Sequence, residues 1–151
     1  MKIEFFAMIV LTFFILEILA KDVCDDIDYM ILDDSTRNVK WDGFNGYCDS
    51  LFTYHTSPDW KGPGWYRLQG DAGTQIPEED IDSNHCGTAA NGHLDGKHPT
   101  TIGEIADMQI CFHWNGDSCY WQTPIQVLNC EDFYLYNLDN TPYCDLRYCS
   151  E

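Results

Sequence analysis

Basic residues are scarce in this sequence. Lys and Arg together number 8 against 25 Asp and Glu in 151 residues, which gives a formal net charge of −17. A nucleic-acid interface needs clustered Lys and Arg to neutralise phosphates, and an anionic membrane attracts the same residues. The composition therefore excludes a nucleic-acid-binding function and argues against docking on anionic lipid.

Catalytic signatures are also missing. The sequence contains no Cys-x-x-Cys pair, no His-Glu-x-x-His, no Gly-x-Ser-x-Gly and no phosphate-binding glycine loop, which are the motifs of zinc sites, metalloproteases, serine hydrolases and nucleotide-binding proteins. We therefore expect a protein that is not an enzyme. A small secreted hydrolase is a distant alternative, because a pair of the many carboxylates, or one of the five histidines, could supply a general acid and base; no pair is singled out by the sequence.

Long apolar runs are confined to the N-terminus. Residues 5–16 are almost entirely apolar, with Lys2 before them and the small residue Ala20 after them. This pattern predicts a secretory signal peptide over residues 1–20. An uncleaved membrane anchor is the alternative, but a span needs about 20 apolar residues and Glu17 interrupts this run. The expected product is residues 21–151, secreted, without a membrane span, and with a net charge of −16 after loss of one lysine and two glutamates.

Cysteine is the feature that indicates how the mature chain is stabilised. Eight cysteines, an even number, all lie beyond the predicted signal peptide: Cys24, Cys48, Cys86, Cys111, Cys119, Cys130, Cys144 and Cys149. In an oxidising compartment they predict four disulfides, each contributing about 2–4 kcal/mol to stability. Spacing alone does not choose among the many pairings.

The remaining pattern is one of short β-type runs between Gly, Asn and Pro turns. Strands are expected at residues 29–32, 65–68, 119–121, 125–130 and 133–138, and at the alternating apolar positions of residues 108–114, followed by the turn Asn115-Gly116. Residues 70–100 are predicted to form a long loop region held by Cys86, and a short helix is expected over residues 101–108. The sequence thus indicates one small, disulfide-stapled, mainly β domain with long loops and at most short helices.

Several motifs in fixed order resemble the uromodulin-type cysteine-rich domain. They are Gly-Trp-Tyr-Arg-Leu at residues 64–68, Cys-Gly-Thr at 86–88, Cys-Phe-His-Trp at 111–114, Cys-Tyr-Trp at 119–121 and the ending Pro-x-Cys-x-Leu-Arg-Tyr-Cys at 142–149. The resemblance covers about Cys24 to Cys149. It implies an extracellular, disulfide-bonded, mainly β module with no known catalytic activity, which assigns residues 21–151 to one uromodulin-like cysteine-rich domain.

Two departures from the family pattern bear on function. Asp80 and Ser118 stand where some relatives carry an additional pair of cysteines. Because both of these cysteines are absent together, the remaining eight can still all form disulfides. The segment 95–97 reads Asp-Gly-Lys where relatives can carry a glycosylated Asn-Gly-Thr. A function through a glycan at that position is therefore not implied for this chain.

Calcium is the one metal for which the sequence offers candidates. Glu78, Glu79, Asp80 and Asp82 are closely spaced hard ligands, and residues 80–84 read Asp-x-Asp-x-Asn. An EF-hand is excluded, because the required glycine and the final glutamate are replaced by His85 and Asn91. Weak calcium binding and a merely solvated acidic loop both remain open, and no other cofactor is expected.

Histidines and tryptophans provide two further hypotheses. His85, His93 and His98 fall close together, as zinc ligands or a hydrolase base would. However, Leu-x-Gly-x-His-Pro at residues 94–99 also resembles the uromodulin-type pattern, which favours a structural role for His98. Five tryptophans could form a carbohydrate platform or pack in the core; they are Trp41, Trp60, Trp65, Trp114 and Trp121. Trp41 and Trp60, in a loop-rich segment, are expected to be exposed.

The function expected from these features is binding. We expect a secreted, non-enzymatic module whose partner is an extracellular protein or a glycan. An acidic extracellular-matrix component that binds calcium or mineral through its negative charge is the alternative.

Overall fold

The computed structural model of the chain describes residues 8–11, 23–51 and 53–151. The predicted signal peptide, residues 1–20, lies outside the described residues except for 8–11, which are helical. None of the helices in the described part of the chain has the length and apolar character needed to cross a membrane.

In the described residues, seven strands and two single-turn 3-10 helices form the sheet domain, and residues 23–25 add a short helical turn before it. The strands are β1 (Met30–Leu32), β2 (Gly64–Leu68), β3 (Ala90–Leu94), β4 (Ile105–Trp114), β5 (Asp117–Asn129), β6 (Tyr134–Leu138) and β7 (Leu146–Tyr148), and the 3-10 helices are Ser35–Arg37 and Gly70–Ala72. The mainly β class with only short helices is confirmed.

All seven strands belong to one mixed sheet in the order β1-β2-β6-β5-β4-β3-β7. The five inner strands pair antiparallel, whereas the two three-residue edge strands, β1 and β7, pair parallel to β2 and β3. Short edge strands leave few unpaired backbone groups for edge-to-edge association.

The β4–β5 hairpin forms the centre of the sheet. Asn115 and Gly116 make its two-residue turn with φ values of 53° and 77°, which is the left-handed conformation that such hairpin turns require. Ile110 and Phe112 are fully buried, as the alternation predicted. Trp114 breaks the pattern and is 37 % exposed, because the strand register shifts between Phe112 and Trp114.

Three local predictions were wrong. Residues 105–108 are strand rather than helix, since each pairs with a residue of β5. The two strands expected at 119–121 and 125–130 are one strand, β5; it passes through Pro124 because β6 begins to pair only at Gln126, so one side of β5 is open at the proline. The predicted loop 70–100 contains β3, which is buried along its whole length.

The sheet is covered on both faces. The larger apolar cluster, on one face, includes Ile110, Phe112, Val127, Tyr136 and Tyr148. A smaller cluster on the other face joins Leu128 and Leu135 to the N-terminal segment around Cys24. Burial on both sides explains why the central strands carry continuous apolar stretches as well as alternating ones.

Four disulfides fasten the loops to this sheet. They join Cys24 to Cys130, Cys48 to Cys144, Cys86 to Cys149 and Cys111 to Cys119, and they use all eight cysteines. The expected number of bridges is confirmed. Three of them close loops of 63 to 106 residues, the class that constrains the unfolded chain most.

Candidate functional site

Exposed aromatic side chains gather at the closed end of the β4–β5 hairpin. The Trp121 ring lies 4.5 Å from the ring of Tyr120 and 5.7 Å from that of Tyr143, measured between centroids. Tyr120 is 51 % and Tyr143 60 % exposed. Strand β5 carries the first two rings, and the loop before β7 carries the third. Apolar rings in solvent at one place are typical of a binding surface rather than of a core.

A groove of about 220 Å³ opens beside these rings. We call it the hairpin groove. Trp114 and Trp121 line it from the hairpin, and Ala90 and the segment 144–146 line it from the other side. The Cys48–Cys144 disulfide ties that segment to the loop after residue 47, so covalent bonding as well as packing positions this wall.

Asp145 contributes the charged side chain of the hairpin groove. Its backbone has φ 63°, a conformation that Asp and Asn tolerate better than most residues. Among the residues that the structure describes, Asp145 has no Lys, Arg or His within salt-bridge distance. The groove therefore combines aromatic faces with an uncompensated carboxylate.

A larger groove, of about 320 Å³, crosses the middle of the sheet. Three of its polar side chains pair with each other: Gln126 donates to Asp107 at 3.0 Å, and Asn137 donates to Gln126 at 3.2 Å. A fourth, Asp139, accepts the backbone N–H of Asn140. Fewer of its polar groups are free to recognise a ligand, so it is the weaker candidate of the two.

His98 lies in a closed carboxylate–histidine–tyrosine chain. Its Nδ1 is 2.6 Å from Glu78 Oε1, and its Nε2 is 2.8 Å from the Tyr136 hydroxyl. Burial raises the pKa of Tyr136, so the hydroxyl stays protonated and can donate to Nε2. Both ring nitrogens are engaged and the residue is 7 % exposed, which leaves neither nitrogen available to a substrate.

Glu78 is held in its charged form by the same contacts. The backbone N–H of His98, the ammonium of Lys97 and the His98 ring lower the pKa of Glu78 to about 2. Lys97 approaches to 2.8 Å from Glu78 Oε2. This side chain therefore fixes the loop after β3 and has little capacity left for calcium.

Asp80 links two further histidines on the opposite side of β3. Its Oδ1 lies 2.8 Å from His113 Nδ1 and 3.7 Å from His93 Nδ1. Burial lowers the pKa of His93. His85, the third histidine of the sequence cluster, donates its backbone N–H to Asn91. The three histidines of the zinc hypothesis thus have different surroundings instead of converging on one point.

The calcium candidates occupy one loop but do not form a cage. Glu79 and Asp82 are exposed, while Glu78 and Asp80 contact histidines as described. Within the described part of the chain, the sole group of three candidate ligand atoms within 4.8 Å is Cys48, Cys144 and Asp145, and the two sulfurs are bonded to each other. Calcium binding by the loop stays a prediction that has no preformed site behind it.

Sequence reasoning missed a buried ion network that fixes the loops at the end of the sheet. The Arg37 guanidinium, fully buried, donates to both oxygens of Asp49 at 2.6 and 2.7 Å and to both oxygens of Asp59 at 2.6 and 2.7 Å. Arg147 lies 3.4 Å from Asp34 and 3.7 Å from Asp59. The one sequence signal was the Leu-Arg-Tyr in the terminal motif; nothing local marks Arg37.

The charge states of this network follow from its contacts. Burial works against the cation, but Asp49 and Asp59 outweigh it and raise the pKa of Arg37. Burial and the neighbouring Arg37 lower the pKa of Arg147 to about 10, so it remains charged at neutral pH. Burial would raise the pKa of Asp59, yet the Arg37 hydrogen bonds and charge lower it. The network is structural: Arg37, Asp49 and Asp59 are buried and hydrogen-bonded to one another, and the buried Arg147 lies beside them.

The tryptophan hypothesis is correct in part. Trp41 is 40 % exposed as expected. Trp60 is buried at 2 % exposure, stacked on Tyr66 at 4.9 Å between centroids and donating its Nε1–H to Asn140. The prediction of an exposed Trp60 was therefore wrong, because the loop that carries it folds back over the sheet.

Comparison with known proteins agrees with the motifs. Residues 66–150 match the family model of the uromodulin-like domain. The chain is 35 % identical over 131 residues to the dog pancreatic secretory granule membrane major glycoprotein GP2 and 32 % identical over 130 residues to the human protein, covering 86 % and 85 % of this chain. Mouse uromodulin is 40 % identical over 89 residues, 58 % of this chain.

The matched region is a minor part of these relatives. The chain spans 23 % of the dog and 22 % of the human glycoprotein and 14 % of mouse uromodulin. Similarity at this level over most of the chain, with the family model covering more than half of it, establishes common descent of the domain. The chain belongs to the uromodulin-like domain family.

Proposed function

We propose that this protein is a secreted, non-enzymatic module that binds an extracellular protein or a glycan. The observation that carries the proposal is the hairpin groove, where Trp114 and Trp121 line a cavity on a disulfide-fixed scaffold. The exposed rings of Tyr120 and Tyr143 pack beside Trp121. Such grooves bury ligand surface without loss of order in the protein, and this favours affinity. The predicted signal peptide supports secretion.

The histidine contacts argue against catalysis. A general base needs a nitrogen within reach of substrate, whereas His98 has both nitrogens engaged and His113 is hydrogen-bonded to Asp80. The family to which the chain belongs points the same way. A hydrolytic function therefore has no specific support.

Capture from extracellular fluid tests the binding function. The oxidised secreted chain is immobilised, and retained material is compared for the wild type, for Tyr143→Ala beside the hairpin groove, where Tyr143 packs on Trp121, and for Tyr29→Ala. Tyr29 is a suitable control because it is 38 % exposed and packs on Phe133, far from the groove. We expect a partner that the wild type and the control retain and that Tyr143→Ala retains poorly. Equal retention by all three proteins would contradict a role for the groove, and no specific retention would contradict the function.

Calcium binding distinguishes the acidic-matrix alternative from the proposed binding module. The same capture with and without calcium, together with calorimetric calcium titration at physiological salt, separates the two functions. We expect no heat of calcium binding in the titration, since Glu78 and Asp80 are already paired with histidines. Tight uptake at several sites would favour the matrix alternative instead.

A further inference from the structure

We propose that the hairpin groove takes a cationic side chain, an arginine or lysine from a basic segment of an extracellular protein. This inference rests on the proposed binding function and names the class of partner. It is carried by three observations: the aromatic faces, the unpaired carboxylate of Asp145 and the charge of the chain as a whole.

The aromatic faces supply the first attraction. A guanidinium or ammonium is drawn to the face of an aromatic ring, most strongly to tryptophan. Two tryptophans line the hairpin groove, and Tyr143 packs against one of them at 5.7 Å. The volume of about 220 Å³ suits the end of one long side chain rather than a folded surface.

Asp145 supplies the second. Asp145 lines the groove, and its carboxylate has no cation partner among the described residues. The buried network shows the contrast: there Asp49 and Asp59 are neutralised by Arg37. A cation entering the groove would meet an acceptor that is not already satisfied, and charge-assisted hydrogen bonds are the strong ones.

The charge of the chain supplies the third. With a net charge of −17, the protein repels anionic ligands such as sulfated or sialylated glycans and attracts basic ones over about a Debye length. The chain itself has few cations to compete: Arg37 and Arg147 are buried, and Lys97 pairs with Glu78. Charge complementarity therefore selects a basic segment over a neutral or acidic ligand.

Peptide titration tests the inference. The probe is capped tetra-arginine. Its binding is measured by calorimetry or tryptophan fluorescence at about 150 mM salt, the physiological ionic strength. Its matched neutral counterpart is capped tetra-citrulline, which keeps the shape without the charge. Two variants change the groove. Asp145→Asn removes a lining carboxylate, retains size and tolerates the positive φ. Tyr143→Ala removes the exposed ring that packs against the lining residue Trp121.

Controls come from the far end of β5. Asp132→Asn removes one exposed carboxylate and Tyr29→Ala removes one exposed ring; the turn that carries Asp132 is about 26 Å along β5 from Trp121 at about 3.3 Å per residue. We expect tetra-arginine to bind the wild type and both controls alike, and each groove variant about five- to tenfold more weakly. Raising the salt should weaken binding further.

Three results would overturn the inference. Equal binding by Asp145→Asn, Asp132→Asn and the wild type would mean diffuse attraction to an acidic surface. Tetra-citrulline binding as tightly as tetra-arginine would mean a neutral ligand. Absence of peptide binding, in a protein whose groove-dependent capture of a natural partner persists, would reject the cationic partner and leave the proposed function standing. Near-ultraviolet circular dichroism of each variant confirms that the fold is intact.

Discussion

Replacing Arg37 by methionine should destabilise the protein severely. Arg37 makes four hydrogen bonds to Asp49 and Asp59 and a fifth, at 3.0 Å, to the carbonyl oxygen of Tyr148. Methionine fills much of the volume but leaves two buried carboxylates without their cation. Removing one partner of a buried ion pair typically costs about 3–5 kcal/mol.

The assay is reversible urea or thermal unfolding of the oxidised protein at neutral pH. For a domain of this size 1 kcal/mol corresponds to about 3 °C in Tm, so Arg37→Met should lower Tm by about 10–15 °C. Arg37→Lys should lower Tm by less, because an ammonium keeps the positive charge. It should still lower Tm, because an ammonium cannot bind both carboxylates at two points each. Lys40→Met, at an exposed position, is the matched control and should change Tm by little.

The pH dependence gives an independent check. Burial would raise the pKa of Asp59, but Arg37 lowers it below the ordinary value of 3.8. The wild type therefore has this stabilisation at neutral pH and loses it as the pH falls below 3.8. In Arg37→Met the buried carboxylates gain by taking up protons, so the difference between the two proteins should shrink as the pH falls. Two results would refute the assigned role of the network. One is a free energy of unfolding of Arg37→Met within about 1 kcal/mol of the wild-type value at neutral pH. The other is a difference in this free energy that does not change with pH.

Three further outcomes follow from other contacts. Glu78→Gln should flatten the loss of stability between pH 4.5 and about 2, because the depressed pKa of Glu78 stabilises the fold above 4.5 and the stabilisation disappears as the carboxylate protonates; urea unfolding across this range measures it. Gly92→Ala should destabilise by about 1–3 kcal/mol, since a Cβ there would lie 2.8 Å from the carbonyl oxygen of Arg147; thermal unfolding measures it. The double variant Cys111→Ser/Cys119→Ser opens a loop of sequence separation 8 and should cost about 2.5 kcal/mol in the chain-entropy model, measured as a shift in urea midpoint.

Much of the fold could be predicted from local sequence. The alternation around Ile110 and Phe112, the Asn115-Gly116 turn and the even number of cysteines each reflect constraints that act over a few residues or over composition as a whole. They predicted the central hairpin, the mainly β class and the four bridges. The family-like motifs also indicated that the segment from Cys24 to Cys149 resembles one known domain family.

Other features depend on residues far apart in sequence. Strand β3, Ala-Asn-Gly-His-Leu, has no β-type pattern; it is a strand because β4 and β7 pair with it on both sides. Its Gly92 is required by the close approach of β7. The short helix expected at 101–108 was wrong for a similar reason, since pairing with β5 overrides weak local preference.

The candidate site shows the same division. Trp114 and Trp121 were recognised as platform candidates, but the hairpin groove also needs Asp145 from a loop that the Cys48–Cys144 bridge and the pairing of β7 with β3 bring close. The partners of Arg37 are 12 and 22 residues away in sequence, in loops without regular structure. No local pattern encodes such contacts.

The central claim is that covalent cross-links fix a scaffold whose surface binds a partner, and disulfide mapping tests it most directly. The native, unreduced protein is alkylated, digested and analysed by mass spectrometry. The account predicts no alkylated cysteine and four linked peptide pairs: Cys24 with Cys130, Cys48 with Cys144, Cys86 with Cys149 and Cys111 with Cys119. Freely reacting thiols, or a bridge from Cys144 to a residue other than Cys48, would contradict the scaffold and the groove that depends on it.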